Sequence, residues 1–391
     1  MKRAAAIAIF IAVVAACFVC FGHRPAALSA GISQMPPMPP RVQPVTAAAP
    51  RAAAPRFAVL SPQQLKKLVA PLARKYPGAL VVGLVSPEGQ SVTGFGKDLQ
   101  GHAANGDTVF ETASLSKVFS ALLLAQAVNR GELQLDEPAK DAVCWRVPAY
   151  GATEITICQL AQHMSGLPDW PDNRGNTTSP YSSRDLQCYL EHGQLQFPPG
   201  EGIIYSNTGF ALLGEILAQK AHTSYERLLT ENVCRPLGMN DTRVHLTASM
   251  RNRLAIGHKA NGKQMASSAP TAGGGADGIR STANDLLKFV SAYAGITQPD
   301  FEKAICDSYR VRENVDEAND IGLGWYTRRA DGIVWKGGCI AGYRTYLGFI
   351  PGKHLGVVVL AGCNAFPSPD LGKDLLLEME QALASPIASD N

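Results

Sequence analysis

Two groups of strand-like segments, one near each end of the chain, constrain its fold more than any other feature. In the first group, the runs ALVVGLVS and QSVTGFGK flank Pro87-Glu88-Gly89, a pattern typical of a β-hairpin. In the second group, GIVWK, YRTYLGFIP and LGVVVLAG are spaced as a meander. Strands from distant parts of a chain can form a single sheet with helices packed on it. We therefore predict an α+β fold, an α/β sandwich with a five-stranded antiparallel sheet flanked by helices.

Helical patterns lie beside these strands and between the two groups. Ser61-Pro62-Gln63-Gln64 has the residues of a helix N-terminus, with Ser61 as N-cap and Gln64 completing a capping box. The run DLGKDLLLEMEQAL follows the last strand, and helical periodicity recurs in the middle of the chain, as in NTGFALLGEILAQKAHTSYERLLTENV. The pattern predicts an α/β domain over residues 58–135 and 271–391. A mostly helical domain over residues 136–270 is inserted into it.

The first part of the chain is predicted to lie outside the folded body. Within residues 1–30, Lys2 and Arg3 precede an apolar stretch from Ala4 to Phe21, which is the pattern of an export signal. Residues 31–57 are rich in Pro and Ala and have no apolar periodicity, which predicts an extended tether.

Three ways of processing this signal fit the sequence. VAAC, which ends at Cys17, resembles a lipidation site, and ALSA, which ends at Ala30, resembles a signal-peptidase site. The apolar stretch is also just long enough to remain as an uncleaved anchor. All three outcomes predict a protein that is periplasmic, or membrane-anchored and facing the periplasm.

Charge and cysteine content exclude several other classes of function. Without residues 1–30, basic and acidic residues are equal in number, which gives no electrostatic case for a nucleic-acid partner. Seven cysteines follow the signal region, an odd number that leaves at least one thiol unpaired or intermolecular in an oxidising compartment. Beyond the signal region, no CxxC or Cys/His cluster has zinc spacing, so the sequence predicts no metal site and no cofactor.

The stretch ETASLSKVFSALLLAQAV combines polar chemistry with an apolar helical run. If a helix begins near Ser114, then Ser114 and Lys117 lie on one face, a turn from its N-terminus. A serine hydroxyl needs an adjacent base to act as a nucleophile, and a lysine amine can serve where its surroundings favour the neutral form. Taken alone, the pair also fits an N-cap serine and a solvated lysine.

Two further motifs favour the catalytic interpretation. Tyr205-Ser206-Asn207 stands just before a predicted helix, and Lys336-Gly337-Gly338 stands at a strand end, where glycines allow a close backbone approach. Together with Ser114-Leu115-Ser116-Lys117, they resemble in order the S-x-x-K, Y-x-N and K-T-G elements of the serine β-lactamase and penicillin-binding-protein superfamily, in its class C branch. The segments HMSGLPD, CRPLGMNDT and DGIRSTANDLLKF add to a resemblance that covers roughly residues 60–385. It implies a β-lactamase/transpeptidase-like fold.

The resemblance also implies roles for individual residues. Ser114 would form an acyl-enzyme, with Lys117 and Tyr205 sharing the general-base work. The ammonium groups of Lys117 and Lys336 are expected to favour the phenolate of Tyr205, whose ordinary pKa is near 10. Asn207 would bind the substrate's amide side chain or orient Lys117.

The third motif departs from the family pattern. Gly337 lacks the hydroxyl that a K-T-G element uses to help bind the substrate carboxylate. Lys336 can still attract an anion, Gly338 allows a close approach, and Arg344 is a possible substitute for the hydroxyl. The resemblance assigns the oxyanion hole to the backbone N–H groups of Ser114 and Cys339.

The implied substrate is a β-lactam or a D-Ala-type peptide. A class C-like β-lactamase is the main interpretation. The alternatives are a DD-peptidase or D-aminopeptidase acting on peptidoglycan fragments, an esterase of the same fold, and a non-catalytic cell-wall-binding protein.

His163 is expected to be a structural loop residue.

Overall fold

A computed structural model describes residues 60–175, 179–269, 272 and 274–384 of the 391-residue chain. The predicted export signal and tether, residues 1–57, lie outside the described residues. All of the described residues belong to one unit, Arg56–Asn391. Within the described ranges, no helix is both long enough and apolar enough to cross a membrane.

The main sheet is antiparallel and flanked by helices, as predicted, but within the described residues it has eight strands and not five. Its order is β2-β1-β12-β11-β10-β9-β8-β7. The five predicted strands form the continuous part from β2 to β10, and three strands of only two or three residues extend it. Strands that short carry no readable alternation, which is why the sequence did not indicate them. The strands are β1 (Leu80–Ser86), β2 (Gly89–Phe95), β3 (Val109–Glu111), β4 (Gly257–His258), β5 (Gln264–Met265), β6 (Arg280–Thr282), β7 (Glu313–Asn314), β8 (Asn319–Ile321), β9 (Tyr326–Arg328), β10 (Val334–Ile340), β11 (Tyr343–Ile350) and β12 (Leu355–Ala361).

Pairing of β1 with β12 brings the two distant parts of the chain together. The register places Leu80 opposite Ala361 and Val85 opposite Gly356. Every residue of β1 and of β12 is buried, because helices cover both faces of the sheet. Such double burial explains why both strands read as nearly continuous apolar runs.

Each face of the sheet has its own hydrophobic core. Leu80 and Val82 pack with the helices Pro62–Ala73 and Ser368–Ala384, whereas Val81 packs with the helix Ala283–Tyr293 on the other face. Successive side chains of a strand point to opposite faces, so this alternation follows from the strand itself. The first helix has the predicted capping box between Ser61 and Gln64.

Short helices fill most of the segment between the two halves of the sheet. The helix Ser116–Asn129 packs against the helix Asn207–Lys220 on one side and Glu302–Tyr309 on another. The limits of a separate helical domain, residues 136–270, stay a prediction. The described residues form one unit, with no division at those positions. The remaining helices of the described residues are Ala139–Ala142, Ile157–Ala161, Ser183–His192, Tyr225–Leu229 with a π-turn Thr230–Cys234, and Ala248–Asn252.

Candidate active site

Ser114 lies in a tight 3₁₀ turn, Ala113–Leu115, and not in the α-helix that the sequence predicted to begin near it. The α-helix begins two residues later, at Ser116. The turn follows β3 almost directly, and Ala113 has a φ of +53°, a left-handed conformation that is uncommon for residues other than glycine. This sharp change of direction sets the turn against β10.

A glycine on β10 makes this close packing possible. A Cβ atom on Gly338 would lie 2.5 Å from the Thr112 carbonyl oxygen and 2.3 Å from Thr345 Oγ1, distances that real side chains do not adopt. The same two threonines are joined by a hydrogen bond, 2.9 Å long, from Thr345 Oγ1 to the Thr112 carbonyl. The close approach at Gly338 is made by the protein's own turn, and an approach of this glycine to a ligand stays a prediction.

Polar side chains on the helix Ser116–Asn129 bind the segment 275–279. Ser116 Oγ donates to the Ala113 carbonyl at 2.8 Å and accepts from the Ile279 N–H at 3.0 Å. Ser120 Oγ donates to the Gly275 carbonyl at 2.9 Å. Ser116 is fully buried and its hydroxyl is engaged on both sides, so it holds the turn and is not a second nucleophile.

Ser114, Lys117 and Tyr205 meet at one point. Tyr205 Oη donates a 2.6 Å hydrogen bond to Ser114 Oγ, and Lys117 Nζ lies 3.4 Å from the same oxygen. Tyr205 is held there because Ser206 caps the next helix, with its Oγ accepting from the Gly209 N–H at 2.9 Å. The structure thus brings together the three residues that the sequence singled out as catalytic.

Lys117 has the environment of a general base. It is 0 % exposed, and its Nζ donates to Asn207 Oδ1 at 2.5 Å and to the Ala276 carbonyl at 2.8 Å. A neutral amine has two N–H donors and one lone pair; with both donors used by these short contacts, the lone pair faces Ser114. Burial lowers the pKa of Lys117 to about 8, although Asp277 and Asp169 oppose the shift. Roughly a tenth of the amine is therefore neutral at pH 7.

Tyr205 behaves differently from the expectation based on the sequence. Lys117 Nζ and Lys336 Nζ lie 4.8 Å and 5.2 Å from the centre of its ring, so both expected cations are present. Burial nevertheless raises the pKa of Tyr205 well above 10, and the hydrogen bond with Ser114 only partly opposes this. The phenol is thus the resting form, and Tyr205 begins as a proton donor to Ser114.

Lys336 is buried, and its amine makes no hydrogen bond to the described residues. Its Nζ is nearly inaccessible, at 1 % relative exposure of the residue, and has no hydrogen-bond partner within the described part of the chain. The amine stands 4.6 Å from the centre of the Tyr326 ring. Burial, aided by the charge of Lys117, lowers the pKa of Lys336 well below 10.5. An approaching anion would reverse this shift, because it would favour the ammonium form.

Strand β10 offers an open edge beside these groups. Its pairing with β9 covers only Val334 and Trp335, so from Lys336 onward its paired neighbour in the described structure is β11. Cys339 and Arg344 are direct partners in that β10–β11 register, and cross-strand partners share a face of the sheet. Arg344 is half-buried and Cys339 is exposed. The assignments of the Cys339 N–H to an oxyanion hole and of Arg344 to a carboxylate stay predictions.

The position of Gly337 has room for a side chain. A Cβ built there meets only ordinary contacts, the nearest being Trp335 at 3.6 Å, the Thr345 carbonyl oxygen at 3.7 Å and Pro369 at 3.8 Å. Lack of space therefore does not explain why position 337 has no side chain, whereas it does explain the glycine at position 338.

His163 packs under the catalytic tyrosine. Its ring lies 4.3 Å from that of Tyr205, and its Nδ1 accepts from the Ser206 N–H at 3.1 Å. Burial and the nearby lysines hold the pKa of His163 well below 6.5. It is a neutral supporting residue on a backbone with φ of +62°, in agreement with its expected structural role.

Three charged residues near Lys117 were not identified from the sequence. Asp169 Oδ1 accepts from Asn207 Nδ2 at 2.6 Å, and Asp277 and Arg174 both influence the Lys117 charge. Arg174 stacks on Trp170, 3.4 Å from the ring centre. Asp169 lies within the HMSGLPD segment that contributed to the family resemblance, but nothing in its spacing to Asn207 indicated a contact.

The described residues show neither a cluster of metal ligands nor a disulfide between cysteines. Among the described residues no three His, Cys, Asp or Glu side chains are grouped to hold a metal ion. The seven cysteines that follow the signal region are all described, and no disulfide joins any of them.

An antiparallel sheet flanked by helices, with a serine, a buried lysine and a tyrosine hydroxyl converging at one edge, defines a serine hydrolase that works through an acyl-enzyme. The family model described as Beta-lactamase matches residues 65–382. The chain belongs to that family and is a serine β-lactamase-like hydrolase.

Named relatives within the family have two related activities. The chain is 28% identical over 278 residues to the D-alanyl-D-alanine-carboxypeptidase/endopeptidase AmpH of Escherichia coli K12, covering 65% of this chain and 71% of that protein. It is 27% identical over 302 residues to a β-lactamase of Pseudomonas fluorescens, covering 66% and 80%. A solved class C β-lactamase superposes with a TM-score of 0.71 at 22% identity, covering 82% of this chain and 96% of that one, which confirms the predicted fold.

Proposed function

We propose that this protein is an exported class C-like β-lactamase, which opens the β-lactam ring through an acyl-enzyme on Ser114. The observation that carries the proposal is the convergence of Tyr205 Oη, 2.6 Å away, and Lys117 Nζ, 3.4 Å away, on Ser114 Oγ. A serine with two such neighbours has both a base to accept its proton and a donor for the leaving group.

Acylation begins with neutral Lys117. Its amine takes the proton of Ser114, and Oγ attacks the lactam carbonyl carbon, giving a tetrahedral oxyanion. Collapse of this intermediate re-forms the carbonyl and breaks the C–N bond, and the ring nitrogen receives a proton from Tyr205. Proton transfer from Lys117 to the tyrosine, both of which contact Ser114 Oγ, restores the phenol. The product is an ester on Ser114.

Deacylation hydrolyses this ester. Tyr205 and Lys117 deprotonate a water molecule, which attacks the ester carbonyl, and Ser114 Oγ leaves with a proton from the same pair. The oxyanion of both steps is assigned to the backbone N–H groups of Ser114 and Cys339. The open edge of β10 beside the Ser114 turn supports that assignment.

Lys336 is assigned the substrate carboxylate. Its amine is buried without a hydrogen-bond partner among the described residues, and an anion would both supply the partner and favour the ammonium. Arg344 is the candidate for a second contact with the carboxylate, in place of the hydroxyl that Gly337 lacks.

A D-alanyl peptidase is the second candidate, because a relative of this chain is named a D-alanyl-D-alanine-carboxypeptidase/endopeptidase. Without the hydroxyl, the carboxylate is held by fewer donors, and losing one charge-assisted hydrogen bond costs about 1.5–3 kcal/mol. Solved structures of D-alanine carboxypeptidases share the fold of this chain. The chemistry of Ser114 is the same in both candidates, so only the substrate differs.

The deciding experiment compares four substrates with wild type and Ser114→Ala. The panel is a chromogenic cephalosporin, imipenem, a D-alanyl dipeptide ester and p-nitrophenyl acetate. Turnover of the lactams that is lost in Ser114→Ala supports the β-lactamase. Turnover of only the D-alanyl ester supports the peptidase, and turnover of only the acetate an esterase. Lactam turnover that survives in Ser114→Ala contradicts the mechanism.

Covalent labelling with a fluorescent penicillin provides the matched control. Ser116 lies two residues from Ser114 in the same segment, but its hydroxyl is buried and bound to the backbone. Ser116→Ala keeps the nucleophile and should still be labelled, although more slowly because the Ser114 turn loses two hydrogen bonds, whereas Ser114→Ala should not be labelled. A folded wild type that takes up no label and turns over no substrate would instead indicate a non-catalytic binding protein.

Export and tethering form part of the proposal and rest on the sequence of residues 1–57. Fractionation of cells that express the full chain, Cys17→Ser and a form beginning at residue 31 tests it. A membrane-bound wild type that becomes soluble in Cys17→Ser supports lipidation, and a protein found only in the cytoplasm contradicts export.

A further inference from the structure

Asp169 is fixed in position by backbone contacts to the start of the Asn207–Lys220 helix. Its carbonyl oxygen accepts from the Thr208 N–H at 3.0 Å and from Thr208 Oγ1 at 3.2 Å. The preceding carbonyl, of Pro168, accepts from Ser206 Oγ at 2.8 Å. These three contacts hold the loop against the helix, so the Asp169 carboxylate reaches its partner from a fixed backbone.

That partner is the side-chain amide of Asn207. Asn207 Nδ2 donates to Asp169 Oδ1 at 2.6 Å, while Asn207 Oδ1 accepts from Lys117 Nζ at 2.5 Å. A carboxylate only accepts and a lysine only donates through its N–H groups, so the two neighbours allow one orientation of the amide. The opposite orientation would place nitrogen against nitrogen at Lys117 and oxygen against oxygen at Asp169.

We propose that Asp169 is a positioning residue for acylation, because its carboxylate turns Asn207 Oδ1 towards Lys117 and so aims the lysine lone pair at Ser114. The proposal rests on the acylation chemistry proposed above. Asp169 touches neither Ser114 nor Lys117 through a hydrogen bond and acts through Asn207. The second N–H of Asn207 Nδ2 remains available for a substrate amide.

Asp169 also contributes charge to the surroundings of Lys117. Asp277, beside the Ala276 carbonyl that binds Lys117, and Asp169 raise the pKa of the lysine, whereas burial and Arg174 lower it. Removing either carboxylate should therefore lower the pKa of Lys117. The titratable and charged groups that face Lys117 are Asp169 and Arg174 from the loop, His163 beneath the tyrosine, Tyr205 before its helix, Asp277 from the 275–279 segment and Lys336 from β10.

Three variants separate orientation from charge. Asp169→Asn keeps an acceptor oxygen for Asn207 Nδ2 but removes the charge. Asp169→Ala removes both, and Asp277→Asn removes a charge near Lys117 while keeping the hydrogen bond between Asp169 and Asn207. The readouts are kcat and KM for the substrate that wild type turns over fastest, the pH profile of kcat/KM, and thermal unfolding of each variant.

Asp169→Ala should lose kcat by about 10- to 100-fold, the scale of a misplaced catalytic group. Asp169→Asn should retain kcat within about threefold of wild type, because an acceptor is still present. Both Asn variants should move the acid limb of kcat/KM to lower pH. Wild-type kcat in Asp169→Ala, or equal losses of kcat in Asp169→Ala and Asp169→Asn, would overturn the proposal.

A crystal structure of Asp169→Ala provides a readout that needs no turnover. The contact between Asn207 Oδ1 and Lys117 Nζ should lengthen or be lost. A retained contact would overturn the proposal even if the proposed substrates prove wrong, whereas an inactive wild type would count only against the proposed function.

Discussion

Tyr205 Oη lies 2.6 Å from Ser114 Oγ, although the two residues are 91 positions apart in the chain. Tyr205 immediately precedes the N-cap of the helix Asn207–Lys220, and Ser114 lies in the turn before the helix Ser116–Asn129. These two helices pack against each other. The contact between the two helices therefore sets the distance between hydroxyl and nucleophile.

Removal of this hydroxyl should disable catalysis while leaving the fold intact. Tyr205→Phe loses the proton donor for the leaving group, and positioned acid–base groups contribute about 10²- to 10⁴-fold to rate. We expect kcat to fall within that range, with little change in the thermal midpoint. Steady-state kinetics and thermal unfolding check this, with His163→Phe as a comparison that keeps a ring beside Tyr205 but loses the acceptor of the Ser206 N–H. A Tyr205→Phe enzyme with wild-type kcat would exclude the tyrosine as proton donor.

The pH profile should report the lysine. Because Lys117 acts as a neutral base and its pKa is about 8, kcat/KM should rise with pH through about 8 and then level off. The acid limb should have unit slope, and it should be measured from pH 5.5 to 9.5 on an uncharged ester, so that substrate ionisation and Lys336 do not contribute. A rate that is independent of pH between 6 and 9 would contradict this role.

Restoring the hydroxyl of the third motif should strengthen binding of carboxylate substrates. Position 337 has room for a side chain, with the nearest atom 3.6 Å from a built Cβ. Gly337→Thr adds a donor worth about 1.5–3 kcal/mol to an anion, so KM for the cephalosporin should fall by about tenfold or more. The KM for p-nitrophenyl acetate, which has no carboxylate, serves as the control. Equal changes for both substrates would show that the hydroxyl does not meet the carboxylate.

The two neighbouring glycines should respond oppositely to a single methyl group. Gly338→Ala places a Cβ 2.3 Å from Thr345 Oγ1 and 2.5 Å from the Thr112 carbonyl. It should push β10 away from the Ser114 turn, destabilising the protein by about 1–3 kcal/mol and lowering kcat. Gly337→Ala meets no such contact and should keep both stability and kcat close to wild type. Denaturant unfolding of the pair measures the difference, and equal stabilities would contradict the packing described for Gly338.

Lys336 should couple substrate binding to proton uptake. Its pKa is held well below 10.5 by burial, and an anion beside it would favour the ammonium. Above its pKa in the unbound enzyme, binding of an anionic substrate should weaken with rising pH by up to about tenfold per unit. Calorimetry of a carboxylate inhibitor in buffers of different ionisation enthalpy measures the proton uptake. Lys336→Met should abolish it, and unchanged uptake in that variant would assign the proton to another group.

Much of the fold was predictable from local patterns. The capping box at Ser61, the hairpin at Pro87-Glu88-Gly89 and the apolar β1 and β12 runs each reflect steric or hydrophobic preferences that act over a few residues. The strands β7, β8 and β9 were missed because segments of two or three residues show no periodicity. The 3₁₀ turn before the helix Ser116–Asn129 was also missed, because Ala113 takes a backbone conformation that alanine rarely adopts.

By itself, the sequence determined the chemical inventory of the site. Ser114, Lys117, Tyr205 and Lys336 could be identified because three short motifs resemble, in order, those of the serine β-lactamase and penicillin-binding-protein superfamily. Those motifs limit which reactions are possible, since a nucleophile, a base and a cation must all be present.

Only the tertiary structure decided how these groups behave. The burial of Lys117 and Tyr205, which lowers one pKa and raises the other, depends on atoms from many parts of the chain. The contact of Asp169 with Asn207 likewise arises from a loop and a helix that meet only in the folded protein. Desolvation and hydrogen-bond geometry are properties of three-dimensional surroundings, and linear spacing does not encode them.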